Sequence, residues 1–167
     1  MTRTLAKRRK TSGRGGNPFT RPRTAARLFA VQALYQRQQQ NSTAQSVVVE
    51  FVNHRLAAPP ADDMPSLNPD RAFFRDLVVG TATRQNEIDD HIGRRLPDSW
   101  PMDRLDPVLL AIMRAATYEL LARPDIPTAA IIDDYLHVAH LFFGDRETAF
   151  VNGVLDAVAR DLRAGAS

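Results

Sequence analysis

The sequence contains no cysteine and no long apolar run. Without cysteine, the chain cannot form disulfides, zinc sites with thiolate ligands or a cysteine nucleophile. No segment approaches the roughly 20 apolar residues that a membrane span needs, and no apolar run follows the basic N-terminus as it does in a signal peptide. These absences predict a cytoplasmic protein with no membrane partner.

Acidic residues are missing from the first 27 positions, which hold nine of the 22 lysines and arginines. The rest of the chain carries 13 basic residues against 19 acidic ones, so a basic arm precedes an acidic body. An arm of one sign repels itself and favours a polyanion, and nucleic acid is the leading candidate because phosphates attract Arg and Lys. A basic tail without a specific partner is the alternative. The nine residues are Arg3, Lys7, Arg8, Arg9, Lys10, Arg14, Arg21, Arg23 and Arg27.

The arm and the body also differ in their apolar pattern. Residues 1–22 have few large apolar side chains and a Gly- and Pro-rich stretch, so they are predicted to be disordered. From there onward, apolar residues recur at three- and four-residue spacing, with no alternating strand pattern. The sequence therefore predicts an all-α chain of about seven helices. These cover about residues 24–39, 44–56, 69–96 with a break near Gly80, 107–122, 128–142 and 146–163, and the helix at 107–122, apolar nearly all round, is predicted to be central.

Four single residues carry structural expectations. Thr24 is a plausible N-cap of the first helix. Trp100, the only tryptophan, is predicted to anchor the core at the junction of two halves. Gly153 is unfavourable inside a helix and suggests the close approach of another element. Arg114 lies in the nearly all-apolar helix, which indicates an ion pair with Glu119 or another acid.

The helix at residues 128–142 offers the best spacing for a metal site. Asp133, His137 and His140 recur at i, i+4 and i+7, which could place carboxylate and imidazole ligands on one face. These positions lie opposite the apolar stripe that includes Phe142, so a solvated polar face explains them without a metal. Phosphate-binding-loop and nucleophile-elbow patterns are also missing. No catalytic residue, metal or cofactor is therefore expected.

Phe150 is the one aromatic side chain whose position suggests binding. It falls on the flank of the apolar stripe of the last helix, near the helix N-terminus. An aromatic ring there can stack on an unpaired base while backbone N–H groups meet a phosphate. Ordinary packing against a neighbouring helix is the alternative, and geometry alone leaves both open.

Four segments together resemble the transcription antitermination protein NusB family. The first runs from Arg21 to Tyr35 and contains Arg-Pro-Arg-Thr-Ala-Ala-Arg and Val-Gln-Ala-Leu-Tyr. The second is Phe-Phe-Arg-Asp-Leu-Val-Val-Gly at 73–80, and the third runs from Ile112 through Asp125-Ile126-Pro127 to Asp134. The closing segment is Phe-Val-Asn-Gly-Val-Leu-Asp at 150–156. The order and spacing of these motifs match the family over about residues 21–160.

The resemblance implies a fold and a partner set. It implies a helical domain over residues 23–167, made of an N-terminal subdomain of about 23–97 and a C-terminal subdomain of about 98–163. It further implies a non-catalytic adaptor that binds the boxA element of nascent RNA with NusE, a small-subunit ribosomal protein, and joins elongating RNA polymerase. NusE is expected on the C-terminal subdomain. The residues implied for RNA binding are Arg21, Arg23, Arg27, Gln32, Tyr35 and Phe150. Because the arginine run of the family is often denser than residues 23–27 of this chain, some contacts are expected to pass to Lys7, Arg8, Arg9 and Lys10 of the arm.

Two other functions compete with this adaptor. A similar helical domain occurs at the N-terminus of some ribosomal RNA cytosine methyltransferases, an interpretation that requires a methyl-donor-binding domain after residue 167. A structural module that binds RNA indiscriminately, for instance in ribosome assembly, is the other. The sequence also leaves open whether two copies form a homodimer through the RNA-binding face.

Overall fold

The computed structural model describes residues 16–56 and 67–164. These residues form seven α-helices and no β-strand, so the predicted all-α fold is confirmed. Short 3-10 helices cover Pro18–Thr20 and Met102–Arg104, and the second helix continues as a π-helical turn at Phe51–Arg55. None of the described helices is long and apolar enough to cross a bilayer. The α-helices are α1 Pro22–Gln40, α2 Ala44–Glu50, α3 Arg71–Thr83, α4 Gln85–Gly93, α5 Pro107–Ala122, α6 Thr128–Phe142 and α7 Asp145–Leu162.

The first helix begins earlier than the sequence pattern predicts. The Asn17 side chain accepts a hydrogen bond from the backbone N–H of Phe19 at 2.9 Å, and the Phe19 ring is buried in the core. Pro22 then starts α1, because its fixed φ suits the first helical position. The predicted disordered arm of residues 1–22 is therefore wrong at its C-terminal end, and Thr24 lies inside the helix instead of capping it. The start of the arm lies outside the described residues.

The break between α3 and α4 falls at Arg84 and not near Gly80. Asp70 caps α3, its carboxylate accepting from the backbone N–H of Phe73 at 3.0 Å. Gly80 lies within α3, and the helical backbone continues through it without a break. This glycine faces a neighbouring ring, as described below.

Helix α5 occupies the centre of the molecule, as its apolar composition predicts. It packs against α1, α3, α4, α6 and α7, and its buried residues belong to one contiguous core. Arg114, the arginine of α5, is partly exposed and forms a bidentate ion pair with Asp89 of α4 at 2.8 and 2.9 Å. Glu119, the other predicted partner, is five positions away and about 140° around the helix, so it faces a different neighbour.

Gly80 is the glycine that another element approaches closely. A Cβ added there would overlap the ring of Tyr118, whose hydroxyl donates to Asp76 at 2.6 Å. Burial, assisted by this hydrogen bond, raises the pKa of Tyr118 to about 12, so the phenol stays protonated and remains a donor. We expect Gly80→Ala to destabilise the fold by about 1–3 kcal/mol, because the buried ring must move out of its site. Urea denaturation followed by circular dichroism measures the change.

Gly153 provides the matched control for Gly80. It is exposed, and no heavy atom lies within 4 Å of a Cβ added there, so the predicted close approach at Gly153 is wrong. Gly153→Ala should raise stability by up to about 1 kcal/mol, since alanine loses less backbone entropy on folding. Equal destabilisation by both substitutions would contradict the packing argument for Gly80.

Candidate nucleic-acid interface

Arg27 lies in the protein interior. It is 4% exposed, and its Nε and Nη2 donate to the two carboxylate oxygens of Glu119 at 2.7 and 2.8 Å. Its Nη1 donates to Asp134 at 2.6 Å. Burial alone would lower the pKa of Arg27, but the hydrogen bond and charge of Glu119 outweigh it and raise this pKa. Arg27 is therefore not an accessible RNA contact. The sequence motif identified the residue type but gave no information about its burial.

Two hydroxyl groups complete this buried ion-pair network. The hydroxyl of Tyr135 donates to Glu119 at 2.6 Å, and that of Thr24 donates to Asp134 at 2.7 Å. Burial, with the charge of Glu119, raises the pKa of Tyr135 well above its usual value, so the phenol remains a donor. Every carboxylate in the network thus has a donor, which is the condition for tolerating buried charge. The network joins α1 to α5 and α6.

Arg21 and Arg23 lie at the surface where α1 begins. The Arg21 side chain is 59% exposed, with its Nη2 atom 3.6 Å from the Asp134 carboxylate. The guanidinium carbon of Arg23 lies 4.9 Å from the centroid of the Phe73 ring, and Arg23 is also exposed. Both predicted residues therefore present accessible cations. A cation stacked on a ring keeps its outward N–H groups free for phosphate oxygens.

Gln32 and Tyr35 come together at the other end of α1. They lie three positions apart on one helical face and line a surface cleft of about 510 Å³. Arg55 and Phe142 line the same cleft, and Arg55 Nη2 donates to the side-chain oxygen of Gln32 at 3.2 Å. Phe142 is 43% exposed, so its predicted burial is wrong: it is the last residue of α6, where the apolar stripe runs past the core. Sequence reasoning did not include Arg55 or Phe142 in the site.

Phe150 is half-buried and belongs to a pair of aromatic rings. Its ring centroid lies 4.9 Å from that of Trp100, and the two ring planes differ by 31°. Trp100 is 38% exposed, so the prediction that it anchors the core is wrong; it lies on the turn between α4 and α5, where one side remains open to solvent. Phe150 therefore packs against a neighbouring ring and also borders the surface.

Two predictions from the sequence remain, the basic residues of the arm and the alternative of a metal site. Lys7, Arg8, Arg9 and Lys10 lie outside the described residues. For the metal alternative, no group of three or more histidine and acidic side chains within 16–56 and 67–164 is placed to hold an ion. Asp134, next to the proposed metal-ligand positions, serves Arg27 and Thr24 instead.

The fold and this surface define an all-α protein with exposed arginines and aromatic rings distributed along and beside its first helix. The protein belongs to the NusB family, because the family model with that description matches residues 24–160. It is 44% identical over 147 residues to the transcription antitermination protein NusB of Sphingopyxis alaskensis, covering 88% of this chain and 98% of the relative. It is 47% identical over 141 residues to that of Novosphingobium aromaticivorans, covering 84% and 95%.

A solved structure agrees with this assignment. The fold matches T. maritima NusB with a TM-score of 0.69 and 29% sequence identity. The match covers 85% of this chain and 93% of the T. maritima chain, so the similarity extends over nearly the whole helical body.

Proposed function

We propose that this protein is a transcription antitermination factor that binds the boxA element of nascent RNA together with NusE and associates with elongating RNA polymerase. It acts by binding and not by catalysis. The observation that carries the proposal is the arrangement on α1, which has exposed arginines at its start and the cleft with Gln32 and Tyr35 toward its end. The relatives named transcription antitermination protein NusB indicate the process in which we propose that this chain acts.

The geometry of α1 suits a single RNA strand. Arg23 and Tyr35 are twelve positions apart, which corresponds to about 18 Å along the helix axis and about 120° around it, so a flexible single strand would have to cross from one face of α1 to another. Arginine contacts to phosphates fix a strand in place, and stacking of unpaired bases on aromatic rings adds affinity. In this arrangement, Arg21 and Arg23 hold the RNA backbone while the cleft receives bases.

The cleft can also distinguish bases by hydrogen bonding. Arg55 occupies the side-chain oxygen of Gln32, so the amide NH₂ of Gln32 is left to donate to the edge of a base. Tyr35 and Phe142 supply exposed rings beside it. Single-stranded RNA is read by this combination of stacking and edge contacts. We expect NusE to bind the C-terminal half, formed by α5, α6 and α7.

Fluorescence anisotropy with labelled RNA tests the proposal. The full chain is titrated with a boxA-like RNA and with a scrambled RNA of equal length, with and without NusE, at near-physiological salt. We expect tighter binding to the boxA-like RNA and a further gain with NusE. Equal weak binding to both RNAs, indifferent to NusE, would instead indicate an indiscriminate RNA-binding module.

Sedimentation of the same samples reports whether two copies associate and whether RNA separates them.

Removal of the arm tests its share of the phosphate binding. Deleting residues 1–15 removes six of the nine basic residues and leaves the structured start at Asn17 intact. The slope of log affinity against log salt should fall by about 0.7 for each phosphate of a single strand that the arm had neutralised. Arg160→Gln, which removes an exposed arginine of α7, is the control and should leave the slope unchanged. An unchanged slope after the deletion would show that the arm does not bind RNA.

A further inference from the structure

Trp100 leaves a large aromatic surface in solvent. It lies between Pro97 and Pro101, and its backbone N–H donates to the carbonyl oxygen of Pro97 at 2.9 Å, which closes a tight turn. The two prolines restrict the backbone, so ordering this turn costs less conformational entropy. The indole remains 38% exposed, so it keeps an aromatic surface that a ligand can reach.

The second ring of the pair gives Trp100 its orientation. Phe150 packs against the core, and its centroid lies 4.9 Å from that of Trp100 with only 31° between the planes. The two rings are tilted relative to each other, at a centroid distance typical of aromatic pairs in proteins. Phe150 thus supports the indole from the protein side, and the exposed part of the indole is available to a third ring.

The surroundings of Trp100 favour a single planar ligand. Asp98 and Ser99 are exposed beside it, so polar side chains border the indole. A protein interface normally has a larger apolar core than one ring. A nucleic-acid base needs only one aromatic face, and every base has such a face to offer.

We propose that Trp100 is a base-stacking residue of the RNA interface. An unpaired base stacks on the exposed part of the indole, beside Phe150. Phe150 then acts mainly by holding the indole in position, and the contact predicted for Phe150 passes to its neighbour. This inference rests on the proposed RNA-binding function, and it adds a contact residue that neither the motifs nor the spacing of the sequence indicated.

The single tryptophan makes the site directly observable. Excitation at the red edge of protein absorbance reports on Trp100 alone, because the chain contains one tryptophan. We expect the boxA-like RNA to quench this emission, with a midpoint equal to that of the anisotropy curve. Quenching by NusE in the absence of RNA would overturn the inference in favour of a protein occupant. Emission that changes with protein concentration alone would overturn it in favour of a second copy.

Three substitutions separate stacking from packing. Trp100→Ala should weaken boxA binding about 5- to 150-fold, the range for loss of one base–aromatic stack. Trp100→Leu keeps apolar bulk without a π-face and should weaken binding similarly, whereas Trp100→Phe should restore most of it. Thermal unfolding is measured for each variant, and binding is compared well below the lowest midpoint. If Leu rescues binding as well as Phe does, bulk alone matters and the inference is wrong.

The same data distinguish failure of the inference from failure of the function. Wild-type protein that prefers boxA-like RNA without quenching, together with an unaffected Trp100→Ala variant, would overturn the role of Trp100 and leave the proposed function standing. Wild-type protein that does not discriminate between the two RNAs would overturn the function itself, and with it the inference.

Discussion

Glu119→Ala is expected to destabilise the fold by about 3–5 kcal/mol, the cost of breaking a buried ion pair by removing one partner. Glu119 is fully buried and accepts two hydrogen bonds from Arg27 and one from Tyr135. Alanine leaves a buried guanidinium with only Asp134 as its acceptor and a buried phenol with none. A buried donor without a partner loses the hydration it had in the unfolded chain and gains nothing in return.

A matched pair elsewhere in the chain controls for this substitution. Arg84 and Glu87 form the same bidentate contact at the surface, at 2.9 and 3.1 Å. Glu87→Ala should therefore change stability little, since water screens the pair and rehydrates the arginine. Urea denaturation of both variants measures the difference. Similar small effects would show that the buried network adds nothing beyond a surface pair. Glu119→Gln, which keeps two side-chain polar atoms and loses the charge, should fall between the wild type and Glu119→Ala.

The network also bears on function, because it fixes the helix that carries the proposed RNA contacts. Thr24 and Arg27 are on the first turns of α1, within a few residues of Arg21 and Arg23. Their partners lie on α5 and α6, so the start of α1 is held by the C-terminal half of the molecule. At a temperature where Glu119→Gln is still folded, its RNA affinity reports how far the position of α1 depends on this link.

Local sequence patterns were sufficient to locate the helices but not to predict which residues each side chain contacts. Apolar spacing located the segments of all seven helices, because one buried face repeats every three to four residues. Arg27 shows the limit: its partners Glu119 and Asp134 are 92 and 107 positions away in the sequence. Periodicity assigns a side chain to a face, and the tertiary fold decides whether that face meets water or a carboxylate.

The aromatic residues and glycines show the same limit at the site. Trp100 and Phe142 were expected in the core because large apolar side chains usually are buried, yet both lie where a helix or turn runs past the packed centre. The sequence predicted a helix break near Gly80 and a close approach at Gly153, yet both glycines lie within unbroken helices. Only the fold shows that the Tyr118 ring packs against Gly80 and that open space faces Gly153. The family motifs supplied Gln32 and Tyr35, whereas Arg55 could be placed beside them only by the packing of α2 against α1.

Arg163→Met is expected to cost about 2–4 kcal/mol, because hydrogen bonds from a charged donor are stronger than neutral ones. Its guanidinium donates to four backbone carbonyl oxygens between the end of α5 and the start of α6, at distances from 2.7 to 3.3 Å. A helix end leaves its last carbonyls short of intrahelical partners. Arg163 donates to the carbonyls of Leu120 and Ile126, and it is a second donor to those of Glu119 and Arg123, which also accept from the backbone N–H groups of Arg123 and Ile126. The carbonyls belong to Glu119, Leu120, Arg123 and Ile126.

The position of these acceptors links this prediction to the first one. The carbonyl of Glu119 receives Arg163 while its carboxylate receives Arg27, so the same turn of α5 is anchored by two arginines from opposite ends of the chain. Arg160→Met is the control, since Arg160 forms only an exposed pair with Asp156 one turn away on α7. Methionine preserves the aliphatic stem in both variants, so the difference in the free energy of unfolding reports the hydrogen bonds of Arg163 to the four carbonyls and to the Thr128 hydroxyl. If Arg163→Met is no more destabilising than Arg160→Met, water caps α5 as well as the guanidinium does, and the C-terminal anchor contributes nothing to the fold.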